Sequence, residues 1–311
     1  MPTPKNVVTS DRIDHPINVV FQKKFLKTLE GLLTYAQFAQ KASMPQHMGD
    51  TYKWRRYAEL AVATTPLDEV QDPAPVLPEK TDLSVSLKQY GAWLKTSAWR
   101  DMTGLTQDKA AMTKRITRQS ARTLDRLARD VTAGGASNTT CSNGDPSGTY
   151  LNRTDIDTVV KNLMAENAEM ITSRIKASTG VGTSPIRPAF IVIAHTLCKQ
   201  DIEAVAGFKH TSTYPRGSGI YPGEIGSIGD TRWILTTEGY YSSSNYYCLF
   251  LAEDAFGDVR IKGGDRPLIY HGPKQVNSPL EMYGTLGWKR NYACRILYDV
   301  LLHSLICTLQ Y

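Results

Sequence analysis

The sequence predicts an α+β chain, on three observations. Thr51–Tyr57 and Leu83–Tyr90 alternate with the two-residue period of half-buried strands; in the second, Leu83, Val85 and Leu87 share one face while Ser84, Ser86 and Lys88 share the other. Thr106 to Ala133 repeats apolar residues at helical spacing. Beyond residue 150, an apolar β-branched run, Phe190–Ala194, lies between two shorter helical patterns, and more strand-like runs follow.

Taken in order, residues 1–18 carry Pro2, Pro4 and Pro16 with little apolar content and read as an extended tail. Val20 to Ala39 repeats Phe21, Phe25, Leu29, Leu32, Leu33 and Ala36 at three-to-four spacing, which predicts a helix. The two alternating strands then predict a hairpin. Their connection holds Pro66, Pro73, Pro75 and Pro78, and residues 66–82 set five acids (Asp68, Glu69, Asp72, Glu79, Asp82) against one base, Lys80. So long a structureless connection is unusual inside a compact domain. It makes sense if the hairpin is an arm that leaves its own subunit and rests on a neighbour; an ordinary polar surface loop is the plain alternative.

For the long helix, Thr106 is placed to cap the N-terminus with Asp108 in the first turn, and Gly134-Gly135 to end it in a left-handed C-cap. Ile116, Leu124, Leu127 and Val131 mark its buried stripe. The remaining surface carries Lys109, Lys114, Arg115, Arg118, Arg122, Arg126 and Arg129 against Asp108, Asp125 and Asp130. A solvated helix face explains such a run as readily as a functional one. Residues 136–150 form a polar loop and a natural boundary. Thr154–Asn167 reads as a helix with Ile156, Val159, Val160 and Leu163 inward, opened by Thr154 and Asp157 in a capping box. Phe190–Ala194 reads as a buried strand and Thr196–Phe208 as a short helix. A Gly/Pro-rich stretch at 215–229 precedes strands at Arg232–Thr237, Tyr246–Ala252 and Val259–Ile261. Tyr283–Tyr311 suits strands or a helix returning to the long helix.

The 311 residues and 41% hydrophobic content are enough for a real core, in one large domain or two ordinary ones. No run of about 18 apolar residues occurs and the N-terminus lacks a signal-peptide core, which predicts a cytoplasmic chain without a membrane span. The net charge of +6 permits contact with nucleic acid without requiring it. Five widely spaced cysteines without a CxxC fit reduced thiols better than disulfides or zinc.

Groups that carry chemistry are sparse. The six histidines never pair at ligand spacing, and neither HExxH nor GxSxG occurs. His195 ends a buried strand, where α/β sites often lie and where a structurally satisfied histidine is more common. Gly217–Gly223 lacks the Gly-Lys-Ser/Thr of a phosphate loop. Tyr52, Trp54 and Tyr57 among Lys53, Arg55 and Arg56 have the composition of a base-stacking strand, though strand aromatics more often pack. The sequence therefore predicts no enzyme, no cofactor and no metal site.

Five segments occur in the order of a known family: Leu87-Lys-Gln-Tyr-Gly91, Ala121-Arg-Thr-Leu-Asp-Arg-Leu-Ala-Arg-Asp-Val131, Gly223-Glu-Ile-Gly-Ser-Ile-Gly229, Phe250-Leu-Ala-Glu-Asp-Ala-Phe-Gly257 and Gly284-Thr-Leu-Gly-Trp-Lys289. With them the chain resembles the major capsid proteins of tailed bacteriophages, in particular the family typified by the phage N-four coat protein. The resemblance implies the Hong Kong 97 type of capsid fold: an N-terminal arm (1–43), an extended loop (44–90), a peripheral domain (91–149 and 273–311, with the spine helix at 106–133) and an axial domain (150–272). It implies hexamers and pentamers forming an icosahedral shell around double-stranded DNA in the virion, assembled in the host cytoplasm. A separate scaffolding protein, a portal and a possible decoration protein would be partners.

On that reading Trp54, Arg55, Arg56, Tyr57, Asp68, Glu69 and Asp72 are candidate inter-subunit contacts. Arg115, Arg118, Arg122, Arg126 and Arg129 are candidates to face DNA or to pair with a neighbour. A non-capsid nucleic-acid-binding protein using the basic helix 106–133 is the second reading.

Overall fold

The computed structural model describes residues 33–58, 60, 62–64, 75–99, 108–142, 150–172, 187–214, 220–276 and 279–310. The expected tail and most of the helix expected from Val20 lie outside these residues. Residues 33–39, the end of that expected helix, form turns.

Two sheets organise the chain. The first has five strands: β1 (Gln40–Met44), β4 (Lys88–Ser97), β12 (Phe256–Ile261), β13 (Arg266–His271) and the long β14 (Tyr283–Ile296). β14 resolves the ambiguity of the C-terminal segment in favour of strand, and its length lets it pair antiparallel with β4, β12 and β13. The second sheet has the path β5 (Ser137–Thr140), β15 (Leu302–Cys307), β11 (Asn245–Leu251), β6 (Phe190–His195), β9 (Thr231–Thr236), β8 (Glu224–Ile228) and β7 (Phe208–His210), with β10 (Tyr241–Ser242) against β11. β6 and β9 run parallel, as do β15 and β5.

β6 is apolar throughout because both of its faces are covered. Phe190, Val192 and Ala194 enter a core with Ile156, Val159 and Leu163 of α2 (Arg153–Ala165), while Ile191 and Ile193 enter a second core on the opposite face. α2 begins one residue earlier than the sequence suggests. Asn152 is its N-cap, its side chain accepting from the Asp155 amide at 2.8 Å, in place of a Thr154/Asp157 box. The expected helix at 196–208 shortens to a 3-10 turn, Thr196–Cys198, and α3 (Lys199–Ala204) before the chain enters β7.

The long helix, α1 (Asp108–Gly135), touches both sheets. Ile116 and Ala121 pack with Leu268, Leu286 and Trp288 of the five-stranded sheet, and Ala128 packs with Ile191, Ile193, Ile234 and Leu249 of the other. The buried stripe is Ile116, Thr117, Ser120, Ala121, Leu124, Asp125, Ala128 and Thr132. Leu127 is only half-buried, and Val131 is exposed, contrary to the expected stripe. Nor do Gly134 and Gly135 adopt a left-handed cap: both remain helical with ordinary φ. Gly135 answers a space requirement, since a Cβ there would meet Ile296 Cδ1.

The hairpin stands as a separate two-stranded sheet, β2 (Thr51–Tyr57) with β3 (Lys80–Ser86), in antiparallel register from Thr51 opposite Ser86 to Tyr57 opposite Lys80. The single strand expected over Leu83–Tyr90 is in fact two. At Leu87 the chain changes partner: β3 pairs with the hairpin and β4 with β14.

In the second sheet, Arg232 and Glu224 form an ion pair whose side chains are 2% and 0% exposed, with Nε–Oε1 at 2.7 Å and Nη2–Oε2 at 2.5 Å. Removing one partner of such a pair leaves an uncompensated charge in the core. Glu224→Ala is expected to destabilise the subunit by about 3–5 kcal/mol, as measured by urea unfolding of the full chain. Asp230→Ala, at an exposed pair with Arg187, is expected to cost less than about 1 kcal/mol.

Candidate functional site

The hairpin has two unlike faces. On the first, Tyr52, Trp54 and Arg56 turn toward their own subunit. Trp54 packs edge-to-face on Tyr52 at 4.9 Å and covers Gly257 of β12, where a Cβ would sit 2.7 Å from Trp54 Cζ2. Arg56 Nη1 donates to the Leu297 carbonyl at 3.2 Å and its guanidinium lies 4.7 Å from the Tyr298 ring centre. Arg295 donates to the Ser84 carbonyl from the body below.

On the second face Thr51, Lys53, Arg55 and Tyr57 are exposed, and Arg55 bridges to Asp82 within the hairpin, Nε–Oδ1 3.0 Å. Asp82 is held below the usual carboxylate range by that hydrogen bond. Toward the tip, apolar side chains are left in solvent: Val62 is 85% and Leu77 84% exposed, with Leu60 and Val76 beside them. Asp68, Glu69 and Asp72 lie outside the described residues.

The second surface is the basic face of α1. Glu238, on the turn after β9, reaches it with a side chain 9% exposed. Its Oε1 accepts from Arg122 Nε and its Oε2 from Arg126 Nε, both at 2.5 Å, and its backbone carbonyl accepts from Arg129 Nη1 at 3.1 Å. Burial opposes the charge on Glu238, but the Arg126 and Arg122 hydrogen bonds outweigh it and hold the carboxyl below its ordinary range. Arg129 also bonds Asp130 at 2.6 Å. Three of the five candidate arginines are thus occupied by their own chain. Arg115 and Arg118 are exposed and share with Gln119, Arg122, Thr123 and Arg126 a groove of about 470 Å³. The carboxylate on the turn was not legible beforehand, because Glu238 is a lone acid more than a hundred residues away in sequence.

A third surface is the outer face of β4 and β14. Trp93, 69% exposed, lies over Gly287, where a Cβ would come within 3.0 Å of Trp93 Cβ.

Asp125, like Val131, lies on the other side of the helix from where the sequence places it. Counted among the surface acids, it is 2% exposed and accepts from the Thr34 and Tyr35 amides at 2.9 and 2.7 Å. It fastens the segment before β1 to α1. The signal was available, since Ala121, Leu124, Asp125, Ala128 and Thr132 lie on one helical face. His195 is a strand-end structural histidine: Nδ1 accepts from the Leu197 amide at 3.1 Å, and the ring packs on Tyr241 and Tyr246.

Burial pushes the Asp125 carboxyl up from 3.8 to about 6, against the pull of its amide donors. The native state therefore binds this proton more tightly than the unfolded chain. The resulting stabilisation is full below about pH 4 and is lost as pH rises through about 6. Asp125→Asn keeps the acceptor without the charge, and should flatten this part of the stability–pH profile; Asp125→Ala should raise amide hydrogen exchange in residues 33–39 at all pH values.

Neither a protein-family model nor a curated protein sequence matches the chain. Solved structures do. The capsid of Ralstonia phage GP4 superposes with a TM-score of 0.66 at 12% identity, over 88% of this chain and 88% of that one. The head structure of Helicobacter pylori bacteriophage KHP40 matches over 100% of this chain and 95% of that one, with TM-score 0.62 and 10% identity. The capsid of cyanophage P-SCSP1u gives 0.58 at 7% identity, over 87% and 86%. At such identities the likeness is one of fold, and it extends over nearly the whole length of both partners: the chain has the fold of phage capsid subunits.

Proposed function

We propose that this chain is the major capsid protein of a tailed bacteriophage, a structural protein that assembles as hexamers and pentamers into an icosahedral shell around double-stranded DNA. The observation that carries the reading is the end-to-end match to phage capsid chains. The hairpin supports it, since an isolated two-stranded ribbon is marginal in water without a surface to lie on. In this reading residues 1–43 are the arm, 44–90 the extended loop, 91–149 and 273–311 the peripheral domain and 150–272 the axial domain. Virion localisation, assembly in the host cytoplasm, a separate scaffolding protein, a portal and a decoration protein belong to the same proposal.

Within it, each half of the hairpin has its own task. Trp54 and Arg56 set the angle at which the hairpin leaves the body, while Arg55, Tyr57 and the exposed Leu60, Val62, Val76 and Leu77 meet a neighbour. Asp68, Glu69 and Asp72 rest on a basic surface of that neighbour and fix register. Exposed pairs of this kind contribute only about 0–1 kcal/mol each, so the shell gains stability from their repetition. Arg115 and Arg118, which no carboxylate holds among the described residues, offset packaged phosphate without reading sequence, while Arg122, Arg126 and Arg129 hold the spine to the Glu238 turn.

Negative-stain electron microscopy of the purified chain, expressed alone and with its neighbouring viral genes, tests the reading. Shells, tubes or six-fold rings are expected; a uniform monomer under every condition would overturn it. Asp68→Ser/Glu69→Ser/Asp72→Ser should shift the salt dependence of assembly. Arg115→Ser/Arg118→Ser should lower the salt-sensitive retention of DNA while leaving shell formation intact.

A further inference from the structure

Three of the five cysteines, remote in sequence, meet in the core between α2, α3 and the second sheet. Cys198 ends the 3-10 turn, Cys248 lies in β11 and Cys307 ends β15. All three are 0–1% exposed, and their sulfurs lie within 4.8 Å of one another. We propose that Cys198, Cys248 and Cys307 form a three-thiolate binding site for a soft, thiophilic divalent cation.

Geometry separates this from the alternatives. A metal–sulfur bond of about 2.3 Å in a planar trigonal arrangement sets the sulfurs about 4.0 Å apart. Cys248 Sγ and Cys307 Sγ stand at 4.0 Å. A disulfide fits less well. Tyr246 is opposite Cys307 and Cys248 opposite Leu305, so the two cysteines are diagonal neighbours across an antiparallel pair. Diagonal Cα atoms are about 7–8 Å apart, beyond the usual disulfide range of about 4.4–6.8 Å. A structural zinc site takes four ligands, and no further Cys, His or carboxylate joins the cluster among the described residues.

Softness follows from an all-sulfur donor set. Charge selects the divalent ion, because three thiolates around it leave one net negative charge in the core where a monovalent ion would leave two. On binding, each S–H is exchanged for a sulfur–metal bond and the protons leave to solvent, with no redox change. The inference does not rest on the capsid reading.

The sulfurs are shut off from solvent, so the metal is introduced during folding. The full chain is expressed in cadmium-supplemented medium and, separately, refolded from urea with Cd2+ and a non-thiol reductant. One Cd2+ per chain after dialysis and a sulfur-to-cadmium charge-transfer band in the ultraviolet are expected. Both should vanish in Cys198→Ser and Cys248→Ser and persist in Cys294→Ser, whose thiol lies in a different core. If a polar hydroxyl in β11 prevents folding, Cys198→Ala, outside the strands, serves in its place. The absence of a band in the wild-type chain by both routes overturns the proposal. So does a band surviving in Cys198→Ala, or the loss of two free thiols without metal, which would mean a Cys248–Cys307 disulfide.

Discussion

One helix serves two cores, and the rest of the molecule is arranged around that constraint. α1 must present Ile116 and Ala121 to the five-stranded sheet and, two turns on, Ala128 to the other. Its inward face is built largely of small residues, Ser120, Ala121, Ala128 and Thr132, each with no exposed surface. Small side chains let a helix lie close to a sheet, and they leave little room for adjustment. Gly135 continues this logic at the helix end, where Ile296 of β14 takes the space that a side chain would need. The two sheets therefore share α1 as a common packing partner.

Polar groups complete what apolar packing begins. Asp125 ties the segment before β1 to the buried side of the helix, and Glu238 ties the turn after β9 to its exposed side. Both contacts join parts of the chain about a hundred residues apart, and both use a carboxylate whose burial would be costly alone. The solutions differ. Glu238 is offset by two guanidinium groups and stays ionised, whereas Asp125 is held by backbone amide donors among the described residues and is left near the edge of protonation.

How much of this was legible depends on whether a local pattern or a distant partner decided it. β2 was legible at both ends because period-two alternation is a property of the strand itself. The change of partner at Leu87 was not, because the alternation from Leu83 to Tyr90 runs on unbroken while the neighbouring strand is replaced. β8 was hidden in a glycine-rich stretch; Gly226 sits inside it at a register shift, where a Cβ would clash with Phe208 and the Lys209 carbonyl. For the basic helix, composition located the arginines but could not distinguish Arg122, Arg126 and Arg129, which Glu238 engages, from Arg115 and Arg118. The three clustered cysteines are the clearest case. Their spacing carries no ligand signature, and only the pairing of β11 with β15 and the turn above them brings the sulfurs together.

The asymmetry of the hairpin bears on how a shell of such subunits could be both specific and adjustable. If the hairpin were anchored over its whole length, its angle would be fixed by the body and every neighbour would meet the same geometry. If it were anchored nowhere, a two-stranded ribbon would lose its order in the free subunit. Here Trp54 on Gly257, Arg56 on Leu297 and Tyr298, and Arg295 on Ser84 hold the paired strands to the body, while Leu60, Val62, Val76 and Leu77 beyond them are exposed. In the proposed shell, hexamers and pentamers would require the same contact to be made at different angles. In that proposed shell, the part of the connection beyond the paired strands would meet that demand, with the exposed Leu60, Val62, Val76 and Leu77 supplying attraction that does not depend on direction.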